Sequence, residues 1–410
     1  MNRIGKKPAI VLWIPVFLCS SGGVRAGDWP QFRGPGGTGV SPEVNLPTNW
    51  SATENVRWKA DLPGRGLSSP VVADGRVYIT ACTGYRERRL HVLCFDAASG
   101  KKLWERQLAA TGSTTCNAKT SIAAATPVTD GERVYALFAS GDLVCLDKSG
   151  DLIWYRSLAG DYPLITNQVG MAASPILWKE LLFLPMENVG DSFAAALDKR
   201  TGQNRWKLER SRGINWVTPQ ILMNGDRAEV LFQTEKDTTA YEPETGKKIW
   251  SYGANNPSAV VSAFTGEDLI FVPGQDFVAL RRGPNGGSPT SVWKSSKLRP
   301  VYASALHHQG FVYVLGHAGI LTCAEAASGK VLWQERLKKG NYWASPIAAD
   351  GRIYAVNEDG VTSVIKPGEH PTNLSTNDIG ANVLATPAIA GGAIYLRSDH
   401  CLFCIANNRS

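Results

Sequence analysis

The sequence predicts an all-β fold, an eight-bladed β-propeller of four-stranded antiparallel blades whose ring is closed by an N-terminal strand. Three observations carry this. A Ser/Thr-Pro step, or a degenerate Ser-Ala copy, recurs at Ser69, Thr126, Ser174, Thr218, Ser262, Ser304, Ser345 and Thr386, eight starts spaced 41 to 57 residues apart. After a turn, an alternating β-rich run follows, as in Gly75-Arg76-Val77-Tyr78-Ile79 and Gly351-Arg352-Ile353-Tyr354-Ala355. A third apolar strand, a Gly turn and a fourth strand bearing Trp then complete the repeat. Four short strands in a repeat of roughly 40–50 residues is the signature of a propeller blade.

The first 26 residues are read separately. Arg3, Lys6 and Lys7 precede an apolar run from Ala9 to Cys19, and Val24-Arg25-Ala26 ends the segment. A basic start, a short apolar stretch and a small-x-small end describe a secretory signal peptide, with cleavage expected after Ala26 and export to the periplasm or beyond. Its run is too short for a bilayer, which needs about 20 residues, and no later segment approaches that length, so no membrane span is expected. The 410-residue chain carries a formal +7, which suggests nucleic acid at first sight. Removing Arg3, Lys6, Lys7 and Arg25 leaves +3, spread among acids. A nucleic-acid surface needs clustered charge, so none is expected. With 43% hydrophobic and 19% charged residues, disordered and collagen-like chains are also excluded.

Residues 27–53 read as a Gly/Pro-rich arm lying over the propeller, anchored by Trp29, Phe32 and Trp50. Gly34-Pro35-Gly36-Gly37-Thr38-Gly39 has the letters of a dinucleotide loop but not the strand-then-helix context such a loop requires. The propeller itself spans 54–410. Its most specific element joins the third and fourth strands of a repeat. Ala196-x-Asp198-x-x-Thr201-Gly202-x-x-x-Trp206 is a full copy, repeated with small changes at Cys94–Trp104, Ala240–Trp250 and Cys323–Trp333. The carboxylate and hydroxyl accept turn N–H groups, Gly supplies positive φ, and Trp fills the gap between blades. Seven of the 13 tryptophans occupy this column: Trp58, Trp104, Trp154, Trp206, Trp250, Trp293 and Trp333. Trp58 precedes the first repeat start, while the three strands from Ala385 to Cys404 lack a fourth. The N-terminal strand therefore completes the last blade, which removes the open sheet edges.

At these residues the chain resembles the pyrroloquinoline-quinone-type repeat family of eight-bladed propellers, over residues 54–406. That family holds quinoprotein dehydrogenases, which bind pyrroloquinoline quinone and calcium, and non-catalytic propellers such as the lipoprotein of the bacterial outer-membrane protein assembly machine. The dehydrogenases carry an adjacent Cys-Cys pair, which this sequence lacks, and large insertions, which its short blades lack. Glu187 and Asn188 are the nearest match to a calcium set. The resemblance implies an exported, non-catalytic, monomeric binding or assembly scaffold needing no cofactor or metal. Its partner would be an envelope protein or a small planar or sugar ligand; a quinoprotein dehydrogenase or a carbohydrate-binding propeller is the alternative.

The loops entering each innermost strand converge on a central funnel in propellers. Here they carry Arg65, Asn117, Lys119, Asn167, Gln168, Asn215, Trp216, Arg299, Tyr302, Asn341, Tyr342, Trp343 and Asn382. Flat aromatics beside amide and guanidinium donors suit a protein segment, a sugar or a planar quinone, though the same aromatics would also plug a channel. The cysteines of the seam column, Cys94, Cys145, Cys323 and Cys404, read as small packing residues rather than ligands. Cys401 and Cys404 lie three apart on a strand and face opposite ways. Cys82 and Cys116, both outside the column, are the expected disulfide. The His307-His308 pair is expected at a solvated turn.

Overall fold

The computed structural model describes residues 27–407 apart from Asn167. The expected signal segment and the funnel candidate Asn167 thus lie outside the described residues. Thirty-two strands are described, arranged as eight four-stranded antiparallel sheets. Blade 1 shows the pattern, with Val71–Ala73 innermost, then Arg76–Thr83, Arg89–Asp96 and Lys102–Ala109 outermost. The eighth blade takes Ala388–Ala390, Ala393–Arg397 and Cys401–Ile405 from the C-terminal end, and Val56–Asp61 as its outer strand. Trp58 pairs opposite Cys404 and Asp61 opposite Cys401, so the two ends of the chain are joined by a ladder.

The eight repeat starts meet at the axis, where a hydroxyl replaces a strand. Each innermost strand has one free edge, and its entry N–H groups would face the channel unpaired. Ser69 N–H instead donates to Thr126 Oγ1 at 3.0 Å, and Thr126 N–H to Ser174 Oγ at 3.0 Å. The relay continues through Thr218, Ser262, Ser304 and Ser345 to Thr386, at 3.0–3.2 Å throughout. Between the last blade and the first, Arg397 in Ala393–Arg397 donates Nη1 to Ser68 O and Oγ, at 3.0 and 2.8 Å. The prolines have a reason here too. At the next position Pro removes a donor that would point into the channel and holds the hydroxyl residue extended. Where Ala263 stands in its place, the extra N–H goes to Gln233 Oε1 at 2.9 Å.

The seams form further out. Trp104 pairs opposite Cys94, which pairs opposite Tyr78; Trp154–Cys145–Tyr135 and Trp333–Cys323–Tyr313 repeat this. Every outer strand carries a β-bulge at this point, as between Cys94 and Phe95. The indole then reaches across to the turn of the following blade. Trp58 Nε1 donates to Ala97 O at 3.0 Å, Trp104 to Lys148 O at 2.9 Å and Trp154 to Lys199 O at 3.1 Å. The ring lies flat on the turn glycine. A Cβ on Gly100, Gly150, Gly202, Gly246 or Gly329 would sit 2.5–2.8 Å from the preceding blade's indole, besides being strained at φ 70–85°. Trp250 departs from this, because the following blade carries the Pro284–Gly286 insertion; it donates to buried Glu229 Oε2 at 2.8 Å.

Blade 7 has Ser375 opposite Val364 where the others have Trp. The arm supplies the missing ring. Trp50 is buried and lies against Tyr354, the blade-7 counterpart of Tyr78, with centroids 6.3 Å apart and planes 28° apart. Asn377 Oδ1 accepts the Trp50 N–H at 3.0 Å, while Asn377 Nδ2 and Ser375 Oγ both donate to Thr48 O. Upstream, the arm crosses the axis at the end where the innermost strands finish. Trp29 exchanges main-chain bonds with Val72 at 2.7 and 2.9 Å, and Gly39 and Ser41 bond Ala348 at 2.8 Å. Arg33 is fully buried beneath the ring, donating to Ala305 O at 2.6 Å and lying over Phe264. The glycines of residues 34–39 thus shape a short 3₁₀ turn in the arm.

Two stability outcomes follow from these contacts. Trp50→Ala removes a seam indole as surely as Trp104→Ala does, and should cost about 3–5 kcal/mol in urea denaturation; a loss under about 1 kcal/mol would reduce the arm to a surface drape. Ser304→Ala orphans the Ser262 N–H and should cost about 1–3 kcal/mol, whereas Ser304→Thr, which keeps the acceptor, should stay near wild type.

Candidate functional site

The eight hydroxyl residues line a central cavity of about 130 Å³. Phe32 of the arm borders it from the floor, and Lys119, Trp216, Tyr302 and Trp343 from the opposite rim. The funnel is therefore a pit with an aromatic mouth. At that mouth Tyr302 stacks on Trp343 with centroids 3.9 Å apart and planes 15° apart. The stack is pinned from blade 7 by Glu358. Its Oε2 accepts from Trp343 Nε1 and from Lys119 Nζ, both at 3.0 Å, and its Oε1 from Asn341 Nδ2 at 2.6 Å. Burial raises this carboxyl, but the Lys119, Asn341 and Trp343 donors outweigh it and hold the group below the usual glutamate range. Lys119 also lies 5.9 Å from the Trp343 ring centroid. Across the pit, Trp216 Nε1 donates to Gly170 O at 3.0 Å.

The remaining funnel candidates divide. Arg65 faces a second pocket of about 270 Å³ at the rim between blades 7, 8 and 1, with Asn382 on its edge. Its guanidinium donates to Ala118 O and lies 3.8 Å from Glu87 and 3.6 Å from Asp399. Asn117 is exposed and braces its own loop, accepting the Lys119 N–H at 2.8 Å. Arg299 is exposed and turns back onto Ser296 O at 2.7 Å. Two candidates are buried supports with no face on the pit. Asn215 donates to Gln233 O at 2.7 Å and accepts the Val217 N–H. Tyr342, 4% exposed, packs over Gly319 and donates to Lys338 O at 2.9 Å. Both stand where Asn and Tyr also stand in ordinary loop bracing, so residue type alone does not separate them from Trp343.

Several other expectations are corrected. Cys82 and Cys116 are free thiols, as are all seven cysteines of the described residues. Rather than bonding each other, both address Glu87 Oε2, Cys82 at 2.9 Å and Cys116 at 3.9 Å. Burial, then the Glu87 carboxylate, pushes the Cys82 thiol up to about 12. His307 and His308 are half-buried on the innermost strand of blade 6, Leu306–His308, with His307 stacked on Phe271; burial lowers both imidazoles below the usual histidine value.

The calcium match does not survive inspection of its donors. Glu187 is buried and paired with Arg210 Nε at 3.0 Å, while Asn188 has its amide spent on Met186 O, Asp191 O and the N–H groups of Gly190 and Thr166. Among the described residues no group of three or more His, Cys, Asp or Glu is placed to hold a metal ion. Glu187 and Asn188, so engaged, do not present a shared open donor set for a calcium ion. No helix among them is long and apolar enough to cross a membrane.

Sequence reasoning missed Glu358, whose position after a strand gave no sign of its three donors. It also missed three exposed aliphatics at the rim over blade 3: Leu164, 62% exposed, with Val189 and Ile214, each 43%. Their loops are laced together. Asp191 N–H donates to Leu164 O, Val189 N–H to Thr166 O and Gly213 N–H to Asn188 O, at 3.1–3.3 Å. Trp216 lies two residues beyond Ile214 and leads into the pit.

Comparison with known proteins places this architecture. A family model described as outer membrane protein assembly factor BamB matches residues 42–184, 167–270 and 284–368. The BamB of Yersinia pestis is 20% identical over 318 residues, covering 76% of this chain and 67% of that protein. The BamB of Kangiella koreensis is 21% identical over 244 residues, and the match spans about half, 49%, of that relative's length. The crystal structure of BamB from Moraxella catarrhalis superposes with a TM-score of 0.62 at 14% identity, over 87% of this chain and 98% of that one. The quinohemoprotein alcohol dehydrogenase of Comamonas testosteroni gives 0.70 at 13% identity, over 95% and 82%. The structural likenesses show the fold and do not discriminate between these two proteins. The eight seams, the ring closure and the family match over most of the chain agree: this protein belongs to the pyrroloquinoline-quinone-type repeat propellers of the BamB family.

Proposed function

We propose that the protein is an exported, non-catalytic propeller that acts as a protein-binding or assembly scaffold in the bacterial cell envelope. The observation that carries the reading is the cluster of Leu164, Val189 and Ile214, three aliphatics held outward on loops that hydrogen bonding fixes in place. An exposed apolar group on a rigid rim, on a loop that leads two residues on to Trp216 of the pit, suits a partner protein segment. The naming of the relatives as outer membrane protein assembly factors supports an envelope protein as that partner. Against the dehydrogenase reading stands the donor chemistry: Glu187 is neutralised by Arg210 and Asn188 is consumed by backbone groups. No cofactor is part of the proposed activity, and the chain is proposed to work as a monomeric ring.

A photo-crosslinking residue at position 189 or 214 should capture an envelope protein in cells, and Ile214→Asp should abolish capture from position 189 without lowering the melting temperature. Equal capture from floor position Met223, or capture unchanged by Ile214→Asp, would contradict the reading. Adding pyrroloquinoline quinone with Ca²⁺ should leave both the melting temperature and dye reduction unchanged.

A further inference from the structure

The pocket between blades 7, 8 and 1 is bordered by two shielded atoms of opposite charge that have no hydrogen-bond partner. Arg397 is 1% exposed. Its Nη1 is spent on Ser68 and its Nε donates to Ser398 O at 3.3 Å, but Nη2 is buried without a partner. Two residues on, Asp399, its side chain 35% exposed, places Oδ2 3.6 Å from Arg65 Nε, while its Oδ1 is shielded and has no hydrogen-bond partner. Both side chains line the same pocket of about 270 Å³. Gly66 belongs to the same wall. Its backbone is not left-handed, so conformation does not demand glycine there; a Cβ would instead overlap Arg397 Nη2. The glycine lets the backbone of the pocket wall pack directly against that corner of the guanidinium.

A buried ionised donor and a buried ionised acceptor are each costly when left unpaired, and a ligand satisfying both is favoured over one satisfying either. The rest of the lining argues the same way. Arg65, Lys119 and Arg397 are balanced by Glu358, Asp359 and Asp399, so neither a plain anion nor a plain cation matches the pocket. Glu358 is already held by Lys119, Asn341 and Trp343, and Asp359 is exposed to solvent, which leaves Arg397 and Asp399 as the shielded open pair. We infer that this pocket binds a small zwitterion, the head group of a free α-amino acid, with its carboxylate on Arg397 Nη2 and its ammonium on Asp399 Oδ1. The site lies across the ring from Leu164, Val189 and Ile214 and does not depend on the partner proposed for them.

Calorimetric titration of the full-length exported protein tests this. Glycine and L-alanine should bind saturably. Acetate and N-acetylglycine, which lack the ammonium, and glycinamide, which lacks the carboxylate, should each bind at least about tenfold more weakly, the loss of one charge-assisted contact. Asp399→Asn sits at the pocket edge, keeps the fold, and should weaken glycine by about the same factor. Arg397→Gln tests the other half, with melting temperature as its folding control. Binding of acetate as tight as glycine, or glycine binding unchanged in Asp399→Asn, would make this a simple anion site and overturn the inference. Absence of saturable binding by every compound would show that water alone fills the corner, and would overturn it too.

Discussion

The ring depends on an exchange at its axis, where one blade's strand-entry N–H is handed to the next blade's hydroxyl. A propeller has no other way to close its centre, since the innermost strands are too far apart to form a ladder and too buried to leave donors unpaired. A hydroxyl is the smallest side chain that can accept such a bond while lining a narrow channel. Ser and Thr both serve, and the eight positions mix them. Because the relay runs through all eight blades, with Arg397 on Ser68 bridging its two ends, no blade contributes it alone, and each donating strand entry is fixed by its neighbour.

The outer seams depend on the same register. An entry hydroxyl sets where the innermost strand begins, the ladder carries that position outward through Tyr78, Cys94 and Trp104, and the bulge beside Cys94 aims the indole at the next turn. Burying a ring of about 200 Å² is worth about 5 kcal/mol as an upper bound, so one empty seam is a large fault. Blade 7 has such a fault in its own strand, and Trp50 mends it from outside. The arm is thereby part of the ring, and its passage beneath the axis with Phe32 at the cavity floor turns a through-channel into a pit open at one end. The loops at the other end carry the exposed aliphatics, the aromatic stack and the charged pocket.

Periodic features were legible in the residues because each blade repeats them. Ser262 and Ser304 could be placed among the starts despite lacking Pro, and Trp58 could be assigned to the final blade by elimination. Features that occur once were not. Trp50 resembles any arm tryptophan until Tyr354 is seen against it. Tyr342 and Trp343 are adjacent in sequence, yet one turns into the core over Gly319 and the other out over the pit, a difference set by loop geometry and not by residue type. Cys82 and Cys116 were brought close, as their positions implied, but Glu87 between them takes both thiols. Arg397 and Asp399 gave no sequence signal beyond a strand end, and only the glycine opposite, Gly66, marks the place.

Native-state amide exchange at Ser69, Thr126, Ser174, Thr218, Ser262, Ser304 and Ser345 tests the axial relay most directly, since each of these N–H groups donates to the next blade's hydroxyl. If the relay, closed by Arg397 on Ser68, holds the ring as one unit, all seven exchange only through global unfolding, with free energies agreeing within about 1 kcal/mol. Exchange at Ser69 or Ser345 that is several kcal/mol easier than at Thr218 or Ser262 would show that the blades around the chain closure open on their own, and would contradict it.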